Sequence, residues 1–364
     1  LKLMCYSYRL PFKEPLKTSA RTYNNREGWI LCWEELGEYY VGEAAPLPGF
    51  IQTNMQDIGN YIQEHINLWV QLLKKEMPVE QFQQHYKAAN IPPALQFALD
   101  SLAYQVEAQR TNALLEYFLF NNDITNSIAV NGLVSLMNKE HTLTAVRRLV
   151  DEGFQTIKCK VGKHFQREKA ILSKIRAAFP NLLIRLDANQ SWDISEAIDY
   201  LAELEPLNIE YCEEPLSTPT PSAFSTLNNK TSIPLALDES INSSDHWPAL
   251  LPFVSVLVIK PMVIGNFRTL FNISQQSEKA NRSLVFTSSL DSSIGRSMTA
   301  LLASGLGAGG YAHGLNTGNL FSQDIHPNRP LIQQGHIQLD TGILPLKTDI
   351  KRLQTISTST IKSS

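Results

Sequence analysis

Residues 156–161 read TIKCKV, and they open a series of short apolar runs that each end on a charge. The series continues with LLIRLD (182–187), IEYCEE (209–214), LALDE (235–239) and VSVLVIK (254–260). Each run has the length and the β-branched content of a buried strand, and helical stretches separate one run from the next. SIAVNGLVS (127–135) precedes the series, and LVFTSS (284–289) and GYAHG (310–314) follow it, making eight strand candidates. Eight strands alternating with helices over about two hundred residues predict an α/β parallel barrel, whose active site lies at the strands' C-terminal ends. The helices carry matching punctuation. Asp193 with Glu196 three positions later forms a capping box, and Gly153 follows a helix that ends near residues 150–152.

Before about Asn126 the rhythm is different. GWILCWEEL (28–36) and EYYVGEAA (38–45) alternate like strands about a turn at Gly37. Amphipathic helices are expected at Met55–Lys74 and Pro93–Leu119. Beyond about residue 321 the barrel rhythm stops, and the Ser/Thr-rich tail TISTSTIKSS (355–364) is expected to fray.

Bulk properties exclude several classes of function. A chain of 364 residues suits one large and one smaller domain. A net charge of -3 provides no basic face for phosphates, so no nucleic-acid partner is expected. No apolar run approaches the ~20 residues needed to cross a bilayer, and no membrane partner is expected. LKLMCYSYRLPFKEPL (1–16) is broken by charge and proline and does not read as a secretion signal. The four cysteines, Cys5, Cys32, Cys159 and Cys212, are scattered without a CxxC pair, which fits a reducing, cytoplasmic setting. Gly305, Gly307 and Gly310 spell GxGxxG, but MTALLAS (298–304) before them reads as a helix, so the context of a dinucleotide site is missing.

The informative feature is the charge at the strand ends. Lys158 and Lys160 flank Cys159, and alternation along a strand sends both ammonium groups to one side. Asp187, Glu213 and Asp238 end the next three strands, and Lys260 ends the one after. Taken singly, each has a plainer reading: a lysine on a solvated face, an aspartate capping the following helix, a Glu-Glu-Pro turn. Together they place charge on five consecutive apolar strands. Three carboxylates buried side by side require a cation, and an all-oxygen set with room for water suits Mg²⁺, with Mn²⁺ as a substitute. Such a metal would acidify the α-proton of a bound small-molecule carboxylate. A lysine whose pKa is lowered toward neutrality would remove that proton. Lysines from the second and sixth strands would address the two faces of the resulting enediolate.

On these residues the chain resembles the muconate-lactonizing subgroup of the enolase superfamily across nearly its whole length. The spacings Asp187 to Glu213 (26 positions), Glu213 to Asp238 (25) and Asp238 to Lys260 (22) are similar to those of its members. The resemblance implies a (β/α)7β TIM-like barrel with an α+β capping domain. The capping domain would span residues 1–125, completed by about 322–364, and the barrel residues 126–321. It also implies Asp187, Glu213 and Asp238 as metal ligands, with Glu214 pointing away or supporting them.

GEAAPLPGF (42–50), RLDANQSW (185–192) and SSLDSSIG (288–295) are similar to stretches of the o-succinylbenzoate synthase family. That family dehydrates 2-succinyl-6-hydroxy-2,4-cyclohexadiene-1-carboxylate to o-succinylbenzoate in menaquinone biosynthesis. By this resemblance Lys160 is the base, Lys158 supports the enediolate, and Lys260 lies across the ring with its cation on the opposite face. Ser288 and Ser289 are candidate contacts for the succinyl group. Arg185 either assists that carboxylate or forms a structural salt bridge. Thr18–Arg21 fall where the superfamily carries a loop over the barrel mouth.

N-acylamino-acid racemase and muconate cycloisomerase use the same two lysines and stay open as alternatives. A non-catalytic carboxylate-binding barrel is the alternative of another class. His313, in YAHGLNTG, comes too late to be the histidine base of the mandelate-racemase branch and reads as a loop residue. Monomer and homo-oligomer are left undecided.

Overall fold

The structure is a computed structural model that describes residues 1–17, 22–47, 53–121, 124–136, 138–243, 246–307, 310–326, 330–339 and 347–363. The loop expected at Thr18–Arg21 lies outside the described residues, as does the end of the GEAAPLPGF stretch.

The chain opens with β1 (Lys2–Lys17), β2 (Thr22–Glu35) and β3 (Glu38–Ala44), followed by α1 (Met55–Lys74), α2 (Val79–Ala88), α3 (Pro93–Arg110) and α4 (Leu115–Phe120). The barrel segment runs β4 (Ser127–Ala129), β5 (Gly132–Val134), α5 (Lys139–Asp151), β6 (Thr156–Lys160), α6 (Phe165–Ala178), β7 (Leu183–Asp187), α7 (Ile194–Leu204), β8 (Ile209–Glu213) and α8 (Pro221–Asn228). It continues with β9 (Leu235–Leu237), α9 (Glu239–Ser243), β10 (Val256–Ile259), α10 (Pro261–Ile264), α11 (Phe267–Lys279), β11 (Ser283–Phe286) and α12 (Ser293–Leu306). The chain closes with β12 (Ile332–Gln333), β13 (His336–Gln338), α13 (Lys347–Ile356) and β14 (Ser359–Lys362).

β1, β2, β3 and β14 form one antiparallel sheet in the order β14-β1-β2-β3. Leu36 and Gly37, both at positive φ (52° and 83°), make the tight turn between β2 and β3. Pro11 falls where the β1–β2 register slips, a bulge that spares the ladder a missing donor. The sheet is apolar on both faces. Leu3, Cys5, Trp29, Leu31 and Trp33 pack against the helical layer, whereas Met4, Tyr6, Tyr8, Leu10, Ile30 and Cys32 meet Ile294, Phe321 and Leu353. Gly42 on β3 is a position of close approach. A Cβ there would stand 1.8 Å from the Ala98 carbonyl oxygen of α3.

The parallel sheet is ordered β11-β10-β9-β8-β7-β6-β5. Parallel bridges Val130↔His313 and Thr287↔Gly314 join its two edges, so the segment around His313 and Gly314 is the eighth stave of a (β/α)7β barrel. The expected strand GYAHG is thus reduced to two bridges. SIAVNGLVS also divides, because β4 pairs antiparallel with β13 and only β5 enters the barrel. Along the barrel strands alternate residues serve two cores. Ile157, Cys159, Ile184, Leu186, Leu257 and Ile259 face the helices, while Tyr211, Ala236, Val256, Val258 and Val285 fill the lumen with Tyr311. Strands buried on both faces read as unbroken apolar runs, which is the pattern of the sequence.

Two expectations are corrected, and one helix was not anticipated. The helix expected at Pro93–Leu119 ends at Arg110, where Asn112 turns at φ 55° into the separate α4. α2 lies in a polar stretch between the expected helices. The tail does not fray: β14 pairs with Met4–Ser7 of β1, and the Ser7 hydroxyl bonds those of Thr358 (2.7 Å) and Ser359 (2.8 Å). Hydroxyl-rich sequence offers little burial, but here it completes the edge of a sheet. Among the described residues no helix is long and apolar enough to cross a membrane.

Asp100, fully buried on α3, joins the helical layer to the barrel. It accepts hydrogen bonds from Gln83 Nε2 (2.8 Å), the Tyr86 hydroxyl (2.7 Å) and the Phe267 amide (2.7 Å) at the start of α11. Burial pushes its pKa up to about 6, and these donors only partly offset that. A carboxyl raised in the folded state stabilises fully below its ordinary pKa of 3.8, and that contribution is lost as pH rises through about 6. Asp100→Ala strands three buried donors, and a urea titration should show a loss of about 3 kcal/mol. Asp100→Asn should flatten the pH dependence of stability between about pH 4 and 6.

Candidate active site

Register places the charged residues at one level. Lys160 pairs with Asp187 and Asp187 with Glu213 across three neighbouring strands. Glu213 is level with Ala236, so Asp238 stands one pleat higher on the next strand, and Lys260 climbs further beyond β10. This staggered rise is what strand tilt imposes on any closed barrel. All of these side chains share the parity of the lumen residues and converge on one mouth.

Lys158 Nζ lies 2.7 Å from Glu213 Oε1 and 3.0 Å from Asp187 Oδ2. Lys260 Nζ lies against both oxygens of Asp238. Asp187, Glu213 and Asp238 are all nearly or wholly buried. Burial alone would raise Asp187, but Lys158 and Lys160 outweigh it and hold its carboxyl below the usual range. Glu213 goes the other way: burial, together with Asp187 and Asp238, pushes it well up despite Lys158. Burial disfavours the Lys158 ammonium, yet the surrounding carboxylates of Asp187, Glu213 and Asp238 raise its pKa well above the ordinary value.

Lys160 is the exposed member of the pair, and its Nζ donates to Asn189 Oδ1 at 2.9 Å. Asn189 in turn donates to Glu239 Oε1 at 3.0 Å. Neither Asn189 nor Glu239 was singled out in the sequence. The signal for Asn189 was its place two positions after Asp187, and its φ of 43° turns it back toward the mouth. Burial and the neighbouring Asp238 push Glu239 up to about 7. Glu214 points away, as expected. It is buried at φ 43° and accepts from the amides of Asp238 (2.8 Å) and Ser240 (3.1 Å), fixing the turn that carries Asp238. Leu133 was also missed. Val134 packs outward, so Leu133, level with Lys158, presents a side chain 44% exposed on the lumen side.

The remaining candidates divide. The Ser288 hydroxyl is engaged with Thr317 (2.6 Å), whereas Ser289 Oγ is buried without a partner. Arg185 does not reach the mouth. Its guanidinium is fully buried, paired with Glu210 and the Ala312 carbonyl, and stacked 4.8 Å from Tyr211 and 5.5 Å from Tyr311. This is the structural of its two readings, because Arg185 lies one pleat below Asp187 among the rings that plug the lumen. His313 accepts from the Phe286 amide (3.0 Å), and burial beside Arg185 pushes it down to about 3, so it is a neutral strut.

Among the described residues no three acidic, histidine or cysteine side chains stand ready to hold a metal ion, because Lys158 and Lys260 lie between the carboxylates. The donor set nonetheless fits a hard divalent cation. Three buried carboxylates end adjacent strands, and Glu213 Oε2 has no hydrogen-bond partner.

The family model described as "Enolase C-terminal domain-like" matches residues 141–343, and the model described as "MenC, N-terminal domain" matches residues 2–101. An o-succinylbenzoate synthase of Vibrio cholerae serotype O1 is 27% identical over 333 residues, covering 89% of this chain and 92% of that protein. An N-succinyl Arg/Lys racemase of Bacillus cereus has the same fold with a TM-score of 0.85, at 19% identity and with 100% and 99% of the two chains covered. The muconate lactonizing enzyme of Pseudomonas fluorescens, complexed with muconolactone, superposes with a TM-score of 0.81 at 18% identity, covering 98% of each chain.

Lys158 neutralises two buried carboxylates, so replacing it isolates their charge. In chelator at neutral pH, Lys158→Met should lose about 3–5 kcal/mol of stability in a urea titration. Part of that loss should return as the pH falls, because Asp187 and Glu213 can then be buried as neutral acids.

Proposed function

We propose, for a chain that belongs to the enolase C-terminal domain-like family, that it is an o-succinylbenzoate synthase acting in menaquinone biosynthesis in the cytoplasm. The observation that carries the reading is the level row of Lys160, Asp187 and Glu213, facing Lys260 across the mouth. Relatives named o-succinylbenzoate synthase, aligned over most of both chains, support the choice of substrate.

Asp187, Glu213 and Asp238 would hold Mg²⁺, or Mn²⁺ in its place, supplying positive charge beside the substrate carboxylate. Lys158 keeps the carboxylates compensated and adds a cation under the developing enediolate. Lys160 is the base. Its amine is exposed to the mouth and oriented by Asn189, so it can approach the α-carbon of a bound carboxylate. Lys160 takes the α-proton, and the C–H electron pair moves into the enediolate. The ammonium then gives that proton to the hydroxyl on the neighbouring carbon. The C–O bond breaks, water leaves and the ring becomes aromatic. Lys260, from the opposite side, stabilises the ring by its charge without exchanging a proton. Leu133 gives the ring an apolar wall, and Ser289 Oγ offers a free hydroxyl to the succinyl group.

A second reading is racemisation of an N-acylamino acid. It is favoured by lysines on opposite sides of the mouth and by the fold shared with the Bacillus cereus racemase. There Lys260 would deliver a proton to the face opposite Lys160.

With Mg²⁺ and the cyclohexadiene carboxylate, loss of diene absorbance should accompany formation of o-succinylbenzoate. Lys160→Ala should lower kcat by about 10³, and chelator should abolish turnover. An untouched diene, with α-proton exchange on N-acylamino acids, would replace this reading by the second. A further outcome concerns the ligand set: Mg²⁺ should raise the thermal midpoint of the wild type and leave that of Glu213→Gln unmoved.

A further inference from the structure

Two stretches that the sequence singled out, around Gly42 and around Ser288, meet in one buried junction outside the row of strand-end charges. Glu43, at the end of β3, is buried against the start of α12. Its Oε1 accepts from the Ser292 amide (2.9 Å) and the Tyr8 hydroxyl, and its Oε2 from the Gly295 amide (2.7 Å) and the Ser292 hydroxyl. A carboxylate of the antiparallel sheet thus caps a barrel helix. Gly295 admits it, because a Cβ there would stand 2.8 Å from both Glu43 Oε2 and Asp291 Cβ.

Arg26 of β2 completes the junction. Its donors reach carbonyls on two separate loops. Pro46 (2.8 Å) and Ala45 follow β3, while Leu290 (3.0 Å) and Ser289 (3.3 Å) follow β11, and Glu27 of its own strand (3.2 Å) takes the last donor. A planar fork of five donors matches this set, and an ammonium with three donors cannot. Leu290 sits at φ 60°, a conformation that is unfavourable for a residue with a Cβ and persists only where its surroundings hold it. Arg26 holds its carbonyl, and Asp291 Oδ2 accepts the Ser289 amide (3.3 Å). Asp291 Oδ1, buried without a partner, faces the same charged cluster.

We propose that Arg26, supported by Glu43 and Asp291, is a positioning residue that locks the loop after β3 to the loop after β11. The locked pair sets where Ser289 receives the part of the substrate remote from the reacting carbon. The second statement rests on the dehydration reading, and the first does not. Arg26 touches neither the lysines nor the strand-end carboxylates, so its effect falls on binding and not on proton transfer.

The test is Arg26→Lys, with Asp291→Asn as a milder variant in case the first folds poorly. Amide hydrogen exchange should quicken together at residues 44–47 and 289–292, while β6–β9 keep wild-type protection. In the diene assay KM should rise about tenfold for Arg26→Lys and about threefold for Asp291→Asn, with kcat within about twofold of wild type. Exchange unchanged at either loop would overturn the lock, as would quickening at one loop alone. Faster exchange with unchanged KM, or a fall in kcat at constant KM, would overturn the link to Ser289. If the wild type leaves the diene untouched, the dehydration reading fails by itself, and the exchange data still decide the lock.

Discussion

Three carboxylates cannot be buried at the ends of adjacent strands unless positive charge lies among them, and much of this structure follows from that constraint. Lys158 and Lys260 meet it within the chain, each bonded to the carboxylates it compensates. Two of the three carboxyls respond oppositely. Asp187, facing two lysines, is held low, whereas Glu213, wholly buried between Asp187 and Asp238, is pushed up. A site with one proton-hungry carboxylate and one orphaned oxygen is poised to gain from a divalent cation. The lysine that is not committed to a carboxylate, Lys160, is the one exposed to the mouth.

The barrel supplies the geometry that makes this constraint local. Parallel register brings Lys160, Asp187 and Glu213 level, and strand tilt lifts Asp238 and Lys260 onto the far side. Below them Tyr211, Tyr311 and the buried Arg185 close the lumen, so the charged layer rests on an aromatic floor. Glu214, at positive φ, secures the next turn from behind. Supporting groups of this kind govern how accurately a reacting side chain is placed.

The antiparallel sheet is fastened to the barrel by buried polar groups as well as by apolar contact. Asp100 ties the helical layer to α11, and Glu43 with Arg26 ties the sheet to α12 and to the loop after β11. Polar junctions of this sort are costly when incompletely paired, and they specify one arrangement when complete. Here the arrangement ties the loop after β3 to the loop after β11.

Much of this was legible in the residues themselves. Alternation and apolar runs located the barrel strands, because a parallel strand buried on both faces has few other ways to look. The charges that end five consecutive strands marked the mouth, because charge at the end of a buried run is expensive without a purpose. The partners of those charges were not legible. Whether Arg185 faces a substrate or Glu210, whether Ser288 or Ser289 keeps a free hydroxyl, and that Asn189 and Glu239 stand behind Lys160 all depend on contacts between segments 25 to 54 positions apart or more. The tail was misread for the same reason, since Ser359–Lys362 become a strand only where β1 offers an open edge some 350 residues away. Local pattern records how each segment buries itself, so the sequence by itself determined most of the barrel strands, their order and the charges at their ends. Which side chain answers which charge is settled by distance in space, and only the tertiary structure decided that.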